Sequence, residues 1–296
     1  MEALEKNTSV RKILAYIKLL RIPHYIKNLL VFAPLIFGGE IFNITKVLAC
    51  VVVFCAFGAV SSIVYILNDI CDREKDRNHP TKRKRPIASG AVSVKGAGVL
   101  VAVLGVVAVA CNFLHFNWRV AALLLIYLLL NLGYSIGWKN IPIVDIVILV
   151  SGFVFRVLCG AWVTGIEISS WLYLTVVVLS LFLSLGKRRN ELIKYGDSMR
   201  KVLKSYSIQF LDKSMTMCMT MVNVFYALWS MDVKASDPVR GKYLILTVPL
   251  VLLITMRYSM IVEQDSDGDP VEVLLHDKVL LGLCLLYAII MFCLLY

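Results

Sequence analysis

Nine apolar segments run along the chain, at roughly 12–37, 45–70, 93–113, 118–138, 141–164, 169–186, 208–230, 242–262 and 278–296, with short polar stretches between them. Most are close to the length of about 20 residues that a helix needs to cross a bilayer. None shows the alternating ten-residue pattern of a transmembrane barrel strand. The pattern predicts an all-α polytopic membrane protein of about nine transmembrane helices. It forms one transmembrane domain over residues 1–296, with nothing left over for a soluble domain.

Composition and charge sharpen this. The 296 residues are 59% hydrophobic and 17% charged, with mean hydropathy +0.78. Soluble domains run near 45–50% apolar and about 25% charged. Lys and Arg outnumber Asp and Glu by 31 to 20, a net charge of +11. In a soluble chain that excess would suggest nucleic acid. Here the basic residues sit between spans, so topology and anionic lipid account for them and no nucleic acid is implied. Six lie in the first 27 residues, eight between Arg73 and Lys95, and seven between Lys187 and Lys204. The alternate stretches 38–44 and 165–168 have none, and 231–242 has three. The positive-inside rule predicts a cytoplasmic N-terminus, two cytoplasmic basic loops and an outer C-terminus, with the chain in the cytoplasmic membrane.

Acidic residues at the ends of membrane helices are costly without partners and mark candidate sites. The clearest group is Asn68-Asp69-x-x-Asp72-x-x-x-Asp76, closing the second segment. On a continuous helix these four fall within an arc of about 100°. Three carboxylates and an amide oxygen there suit Mg²⁺, a hard cation usually shared between a few carboxylates and substrate phosphates. Mn²⁺ is the natural substitute. Asp72 and Asp76 are the carboxylates assigned to catalysis, as is Asp145 further on. In the basic loop after this motif, Arg85 beside Pro86 is the residue assigned to a phosphate.

A second constellation is Tyr134, Lys139, Asp145 and Arg156. Asp145 and Arg156 are eleven residues apart, three turns, and so share a helix face. They read either as a buried ion pair or as a second half-site facing the aspartates. Lys187-Arg188-Arg189-x-Glu191 follows the sixth segment, and Arg257 stands in the eighth without an obvious local partner. Arg21, Lys27 and Asn28 lie within or beside the first. Bidentate Arg and point-charge Lys are the side chains phosphate recognition uses.

Other patterns point nowhere. Asp265-x-Asp267-x-Asp269 opens like a calcium loop, but Pro270 replaces the turn glycine and His276 the final Glu. The four histidines are scattered, which gives no zinc site or catalytic triad. The eight cysteines include no C-x-x-C pair and read as small apolar side chains.

The Asn-Asp motif, the basic loop and the nine-span layout resemble the UbiA prenyltransferase superfamily over essentially the whole chain. Several segments are similar to its decaprenyl-phosphate phosphoribosyltransferase branch. They are Arg21-Ile-Pro-His-Tyr-Ile-Lys27-Asn28 with Phe32-Ala-Pro, Tyr134-Ser135 with Lys139, Lys187-Arg-Arg-x-Glu191, and Gly268-Asp-Pro-Val-Glu-Val-Leu-Leu-His-Asp277. The resemblance implies a bundle with a cytoplasm-facing cavity and Mg²⁺-dependent transfer of 5-phosphoribose from phosphoribosyl diphosphate (PRPP) to a polyprenyl phosphate. Asn68, Asp69, Asp72 and Asp76 would hold metal. Lys27, Asn28, Arg85, Tyr134, Lys139, Arg156, Lys187, Arg188, Glu191 and Arg257 would hold substrate. One departure stands out: the second family motif is commonly Asp-x-x-x-Asp, and here Asp145 is followed by Leu149 at that spacing. That leaves a second metal open.

Two other functions fit parts of this pattern. A UbiA-type enzyme moving a prenyl group to an aromatic acceptor shares the leaving diphosphate, but usually benefits from a proton acceptor, and no histidine is well placed for one. A transporter of an anionic lipid or metabolite could carry intramembrane acids, but would not need a metal-type carboxylate set. A homo-oligomer is compatible with the sequence and not specified by it.

The charge distribution has a direct test. Cysteines introduced near Lys84 and Arg200 are expected to be labelled only from the cytoplasmic side of intact cells, and one near Ser236 only from outside. Labelling of the first two from outside overturns the orientation.

Overall fold

Most of the long helices begin on a polar side chain that closes the first turn. Asn43, Ser93, Asn117, Ser169, Ser207 and Asp277 each accept from a backbone N–H two or three residues on, at 2.6–3.3 Å. Such caps satisfy helix N–H groups that have no intrahelical partner. The apolar segments follow directly, so each cap marks where a span starts.

The computed structural model describes residues 2–78, 82–115, 117–196, 200–237, 241–264 and 270–296. His79, Gly268 and the Asp265, Asp267 and Asp269 series lie outside the described residues. Among those described there is no β-strand. The helices are α1 (Glu2–Leu20), α2 (Ala33–Phe37), α3 (Ile44–Cys71), α4 (Arg73–Arg77), α5 (Val94–Leu114), α6 (Trp118–Ile136), α7 (Val144–Thr164), α8 (Ser170–Tyr195), α9 (Ile208–Ser236), α10 (Val248–Glu263), α11 (Pro270–His276) and α12 (Lys278–Leu295). Among the described residues, eight candidate spans are long and apolar enough to cross a membrane. The seventh predicted segment is α9, which is long enough at 29 residues but less apolar.

The chain forms two compact units. The first comprises Met1–Ile36, Glu40–Trp138 and Phe155–Ile166; the second comprises Phe37–Gly39, Lys139–Val154 and Glu167–Tyr296. In the first unit, Val31, Leu35, Val53, Phe57, Tyr127 and Cys159 form a buried core, with α3 packed along α5 and α6. In the second, α8 lies along α9, and Leu172, Tyr226, Trp229, Leu244 and Met291 form the core.

Large apolar side chains remain exposed along whole faces. Val99, Val103, Val106 and Val109 of α5 and Leu285, Ile289 and Phe292 of α12 are examples. In water such faces would be a liability; in lipid they are the solvated surface. The cysteines divide the same way: Cys50, Cys159 and Cys218 are buried, whereas Cys55, Cys71 and Cys293 are exposed.

The first predicted span is not one helix. α1 ends at Leu20, Arg21 adopts φ 52, and an eleven-residue 3-10 stretch, Ile22–Phe32, leads into α2. Pro23 and the left-handed Arg21 break the α-helical ladder. The 3-10 backbone then passes close to α7. A Cβ at Gly160 would lie 1.9 Å from the Val31 carbonyl oxygen, so only glycine fits. Gly160→Ala is expected to destabilise the purified protein by about 1–3 kcal/mol, as overpacking does. Gly98→Ala on α5, where nothing lies within 4 Å, is the control and should leave the melting temperature unchanged or higher. Equal melting of the Gly160 variant and wild type would show that the close approach is not real.

Candidate functional site

The acidic motif sits where α3 stops. Asp72 takes φ −90 and ψ 5, ending α3 and preceding α4, so Asn68 to Asp76 do not lie on one continuous helix. The Asp76 N–H still donates to the Asp72 carbonyl at 2.8 Å, which brings Asp76 back over the α3 end. Asp69 and Asp76 are 3% and 4% exposed. Arg85 Nη1 donates to both, to Asp69 Oδ1 at 3.0 Å and Asp76 Oδ2 at 2.7 Å. Arg21 Nη2 donates to Asp69 Oδ1 at 2.7 Å, with its guanidinium 4.7 Å from the Tyr65 ring centre. Two guanidinium groups therefore meet two buried carboxylates. Asn68 Oδ1 accepts from Ser135 Oγ at 3.2 Å, and the Asp72 carboxylate is 3.9 Å from Lys75 Nζ.

The loop delivering Arg85 is shaped by its own bonds. The Arg85 N–H donates to Lys82 O, the Ser89 N–H to Arg85 O, and Gly90 takes φ +81, a left-handed value that favours glycine. Arg77 Nε of α4 donates to Ala88 O at 3.3 Å and ties the loop to the helix.

The positive centre shared by Asp69 and Asp76 bears on metal binding. A hard divalent cation, which takes carboxylate and phosphate oxygens, fits the same pair. Among the described residues no group of three His, Cys, Asp or Glu side chains converges to hold a metal. A cation at Asp69 and Asp76 would therefore complete its shell from water or a ligand's oxygens.

Arg156, halfway along α7, is 5% exposed. Its Nε donates to Asn28 Oδ1 at 2.7 Å and its Nη2 to Ser61 Oγ at 3.2 Å. The guanidinium lies 4.5 Å from the Phe57 ring centre and 5.3 Å from that of Tyr127. Arg156 thus joins the 3-10 stretch, α3 and α6 inside the first unit. Asn28 Nδ2, also buried, has no acceptor among the described residues.

In the second unit, Asp145 is fully buried at the start of α7 and Arg188 is 1% exposed. Arg188 Nε donates to Asp145 Oδ2 and Nη1 to Glu191 Oε2, both at 2.6 Å. Arg200 Nε is 3.3 Å from the same Glu191 oxygen. Tyr206 donates its hydroxyl hydrogen to Asp145 Oδ1 at 2.7 Å. Burial, with Asp145 alongside, pushes the Tyr206 phenol up to about 12. Arg189 pairs with Asp212 and reaches Val262 O at 3.3 Å, tying α8, α9 and α10 together.

The profile of the UbiA prenyltransferase family matches residues 30–293, almost the whole chain. The chain belongs to this family. Decaprenyl-phosphate phosphoribosyltransferase of Corynebacterium glutamicum is 38% identical over 284 residues, covering 93% of this chain and 85% of that protein. The protein of the same name from Mycobacterium tuberculosis is 34% identical over 271 residues, covering 89% and 88%. In fold, the chain is similar to a UbiA homologue from Archaeoglobus fulgidus solved with GPP and Mg²⁺. The TM-score is 0.70 at 18% identity, over 95% of this chain and 99% of that one.

Against these geometries, several expectations for this UbiA family member change. The four metal candidates do not form a single face, because the helix breaks at Asp72; the two that one guanidinium brings together are Asp69 and Asp76. Asp145 and Arg156 share a face, yet each bonds within its own unit: Asp145 to Arg188 and Tyr206, Arg156 to Asn28 and Ser61. Arg188 is not an open phosphate ligand, since the Asp145 and Glu191 carboxylates both hold it. Arg257 has a partner after all: Asp277 accepts from its Nη2 at 2.6 Å and Nε at 3.2 Å. That pairing and the Leu280 N–H hold the Asp277 carboxyl below its usual range. Lys27, Tyr134, Lys139 and Lys187 are half-buried. Arg21 stood out in the sequence beside the first span, but its pairing with Asp69 did not, and the roles of Arg200 and Tyr206 had no signal beyond residue type.

The Arg188 network predicts a stability effect. Removing one member of a buried ion pair leaves the other charge uncompensated, which costs about 3–5 kcal/mol. Arg188→Ala is expected to lose that much in thermal or denaturant unfolding, well above the loss for Arg257→Ala at its half-exposed pair. If the two variants melt alike, the buried network is not holding the second unit together.

Proposed function

We propose that this protein transfers 5-phosphoribose from PRPP to a polyprenyl phosphate and releases diphosphate, with a divalent cation, Mg²⁺ first, held through Asp69 and Asp76. The reading is carried by the relatives of that name, which align with 93% and 89% of the chain at 38% and 34% identity. The paired buried carboxylates of Asp69 and Asp76 support the metal. The protein would lie in the cytoplasmic membrane with its active centre open to the cytosol, where PRPP is available.

The chemistry asks little of a general base. A lipid phosphate oxygen forms a bond to ribose C1 as the bond from C1 to the diphosphate oxygen breaks, and the electron pair leaves on diphosphate. A phosphate monoester has a second pKa near 6, so it is largely dianionic already and no proton has to move. Asp145 is then not a base. Its oxygens are engaged by Arg188 and Tyr206, and its role is to hold them.

When bound, the divalent ion supplies positive charge to the leaving diphosphate oxygens. Arg85 and Arg21 add cationic hydrogen-bond donors beside the same carboxylates. Asn28 Nδ2 offers a buried hydrogen bond to a substrate oxygen. Lys27, Tyr134, Lys139 and Lys187 keep their assignment to substrate, because a donor with both a diphosphate and a 5-phosphate needs cations in two places.

Purified protein given labelled PRPP, Mg²⁺ and a polyprenyl phosphate is expected to yield labelled lipid. EDTA should stop the reaction, and Mg²⁺ or Mn²⁺ should restore it. Asp69→Asn and Asp76→Asn should each lower kcat/KM by about a hundredfold or more, the scale for losing a key electrostatic group. Undiminished turnover in EDTA would sink the metal assignment. A protein that ignores PRPP but condenses a polyprenyl diphosphate with an aromatic acid would be a prenyltransferase instead.

A further inference from the structure

The stretch 137–143 enters α7 through an unfavourable residue. Ile143 has φ 70, and a β-branched side chain in the left-handed region is a steric outlier. Such a conformation persists only where the surroundings hold it, and these cases gather at functional sites. The Ile143 carbonyl accepts from the Ile146 and Val147 N–H groups of α7, and its own N–H is held by one hydroxyl group. The Ile143 N–H donates to Tyr206 Oη at 2.6 Å, and the same hydroxyl donates to Asp145 Oδ1 at 2.7 Å. Tyr206 thus ties together the strained backbone and the carboxylate two residues beyond it. The other Asp145 oxygen takes Arg188 Nε at 2.6 Å.

Tyr206 is itself firmly placed. Its ring is 6% exposed and stacks on Phe210, with the planes 8° apart. The next residue, Ser207, caps α9 by accepting from the Phe210 N–H. With its phenol pushed up to about 12, Tyr206 remains a donor throughout the physiological pH range. Lys139 stands four residues before Ile143 on the short Trp138–Asn140 turn. Whatever fixes the Ile143 backbone therefore also restricts where Lys139 can reach.

We propose that Tyr206 is a positioning residue. By bonding Ile143 and Asp145 together it sets the 137–143 loop, so that Lys139 meets an anionic group of the phosphorylated sugar donor. The identity of that donor rests on the phosphoribosyl-transfer reading, whereas the loop-holding role does not.

Tyr206→Phe keeps the stacked ring and removes both hydrogen bonds, and the full-length protein in detergent serves for every measurement. In substrate-free protein, amide exchange across residues 138–147 is expected to speed up markedly, while the rest of α7 and α9 stays protected. In turnover, KM for PRPP should rise about tenfold, the scale for a lost charge-assisted contact, with kcat and KM for the lipid phosphate little changed. Lys139→Ala should raise the same KM, and the double variant should be no worse than Lys139→Ala alone, because coupled residues are not additive. A purely structural Tyr206 would instead lower the folded fraction and apparent kcat, leaving both KM values as they were. Unchanged exchange, an unchanged donor KM in a background that turns over PRPP, or additive effects would each overturn the proposal. Should wild type fail to use PRPP at all, the transfer reading falls by itself. The exchange measurement then still decides whether Tyr206 holds the loop.

Discussion

Asp69, Asp76, Asp145 and Glu191 are carboxylates taken almost wholly out of water, and each is met by a guanidinium nitrogen at 2.6–3.0 Å. In a chain built to sit in lipid this is the constraint on which the rest depends. A carboxylate so far buried loses most of its hydration, and an unpaired ion costs far more than any neighbouring apolar contact returns. The fold therefore has to bring arginines from distant parts of the sequence to fixed places. Arg21 and Arg85 converge on the end of α3, and Arg188 reaches the start of α7. In the first unit the 3-10 stretch, the break at Asp72 and the loop bent at Gly90 are all local devices that make this convergence possible.

The same constraint accounts for the backbone irregularities. Among the described residues, two non-glycine positions have positive φ, Arg21 and Ile143. Arg21 is itself the partner of Asp69, and Ile143 is bonded through Tyr206 to Asp145. Each strained residue adjoins one charged network, in line with the tendency of strain to collect where geometry matters for function. Elsewhere most of the long helices begin on ordinary polar caps.

Arg156 shows that neutral groups, too, can help hold a buried cation. An amide oxygen, a hydroxyl and two aromatic faces surround it. Cation–π contacts of this kind strengthen when water is excluded, so the guanidinium can serve as a strut between helices. Two arginines of equal sequence prominence, Arg156 and Arg188, thus do different physical work. Arg156 braces a core, and Arg188 neutralises acids.

Much of the architecture was legible in the chain. Runs of apolar residues long enough to cross a bilayer located the helices, because in lipid every backbone polar group must be bonded within the segment. The acidic motif and the basic loop identified the end of α3 as chemically important and pointed to the family. Periodicity also correctly put Asp145 and Arg156 on one face of α7. It failed at Asp72, because the 100° rule holds only while a helix is unbroken, and it could not show that Asp145 and Arg156 take different partners. Helical periodicity is a local property, whereas a buried carboxylate can take its counter-ion from another element, as Asp69 does from Arg21, 48 positions away, and Asp145 from Arg188, 43 away. The sequence by itself determined the spans and the kind of chemistry present. Only tertiary packing decided which guanidinium meets which acid, and that a tyrosine hydroxyl holds the strained entry to α7.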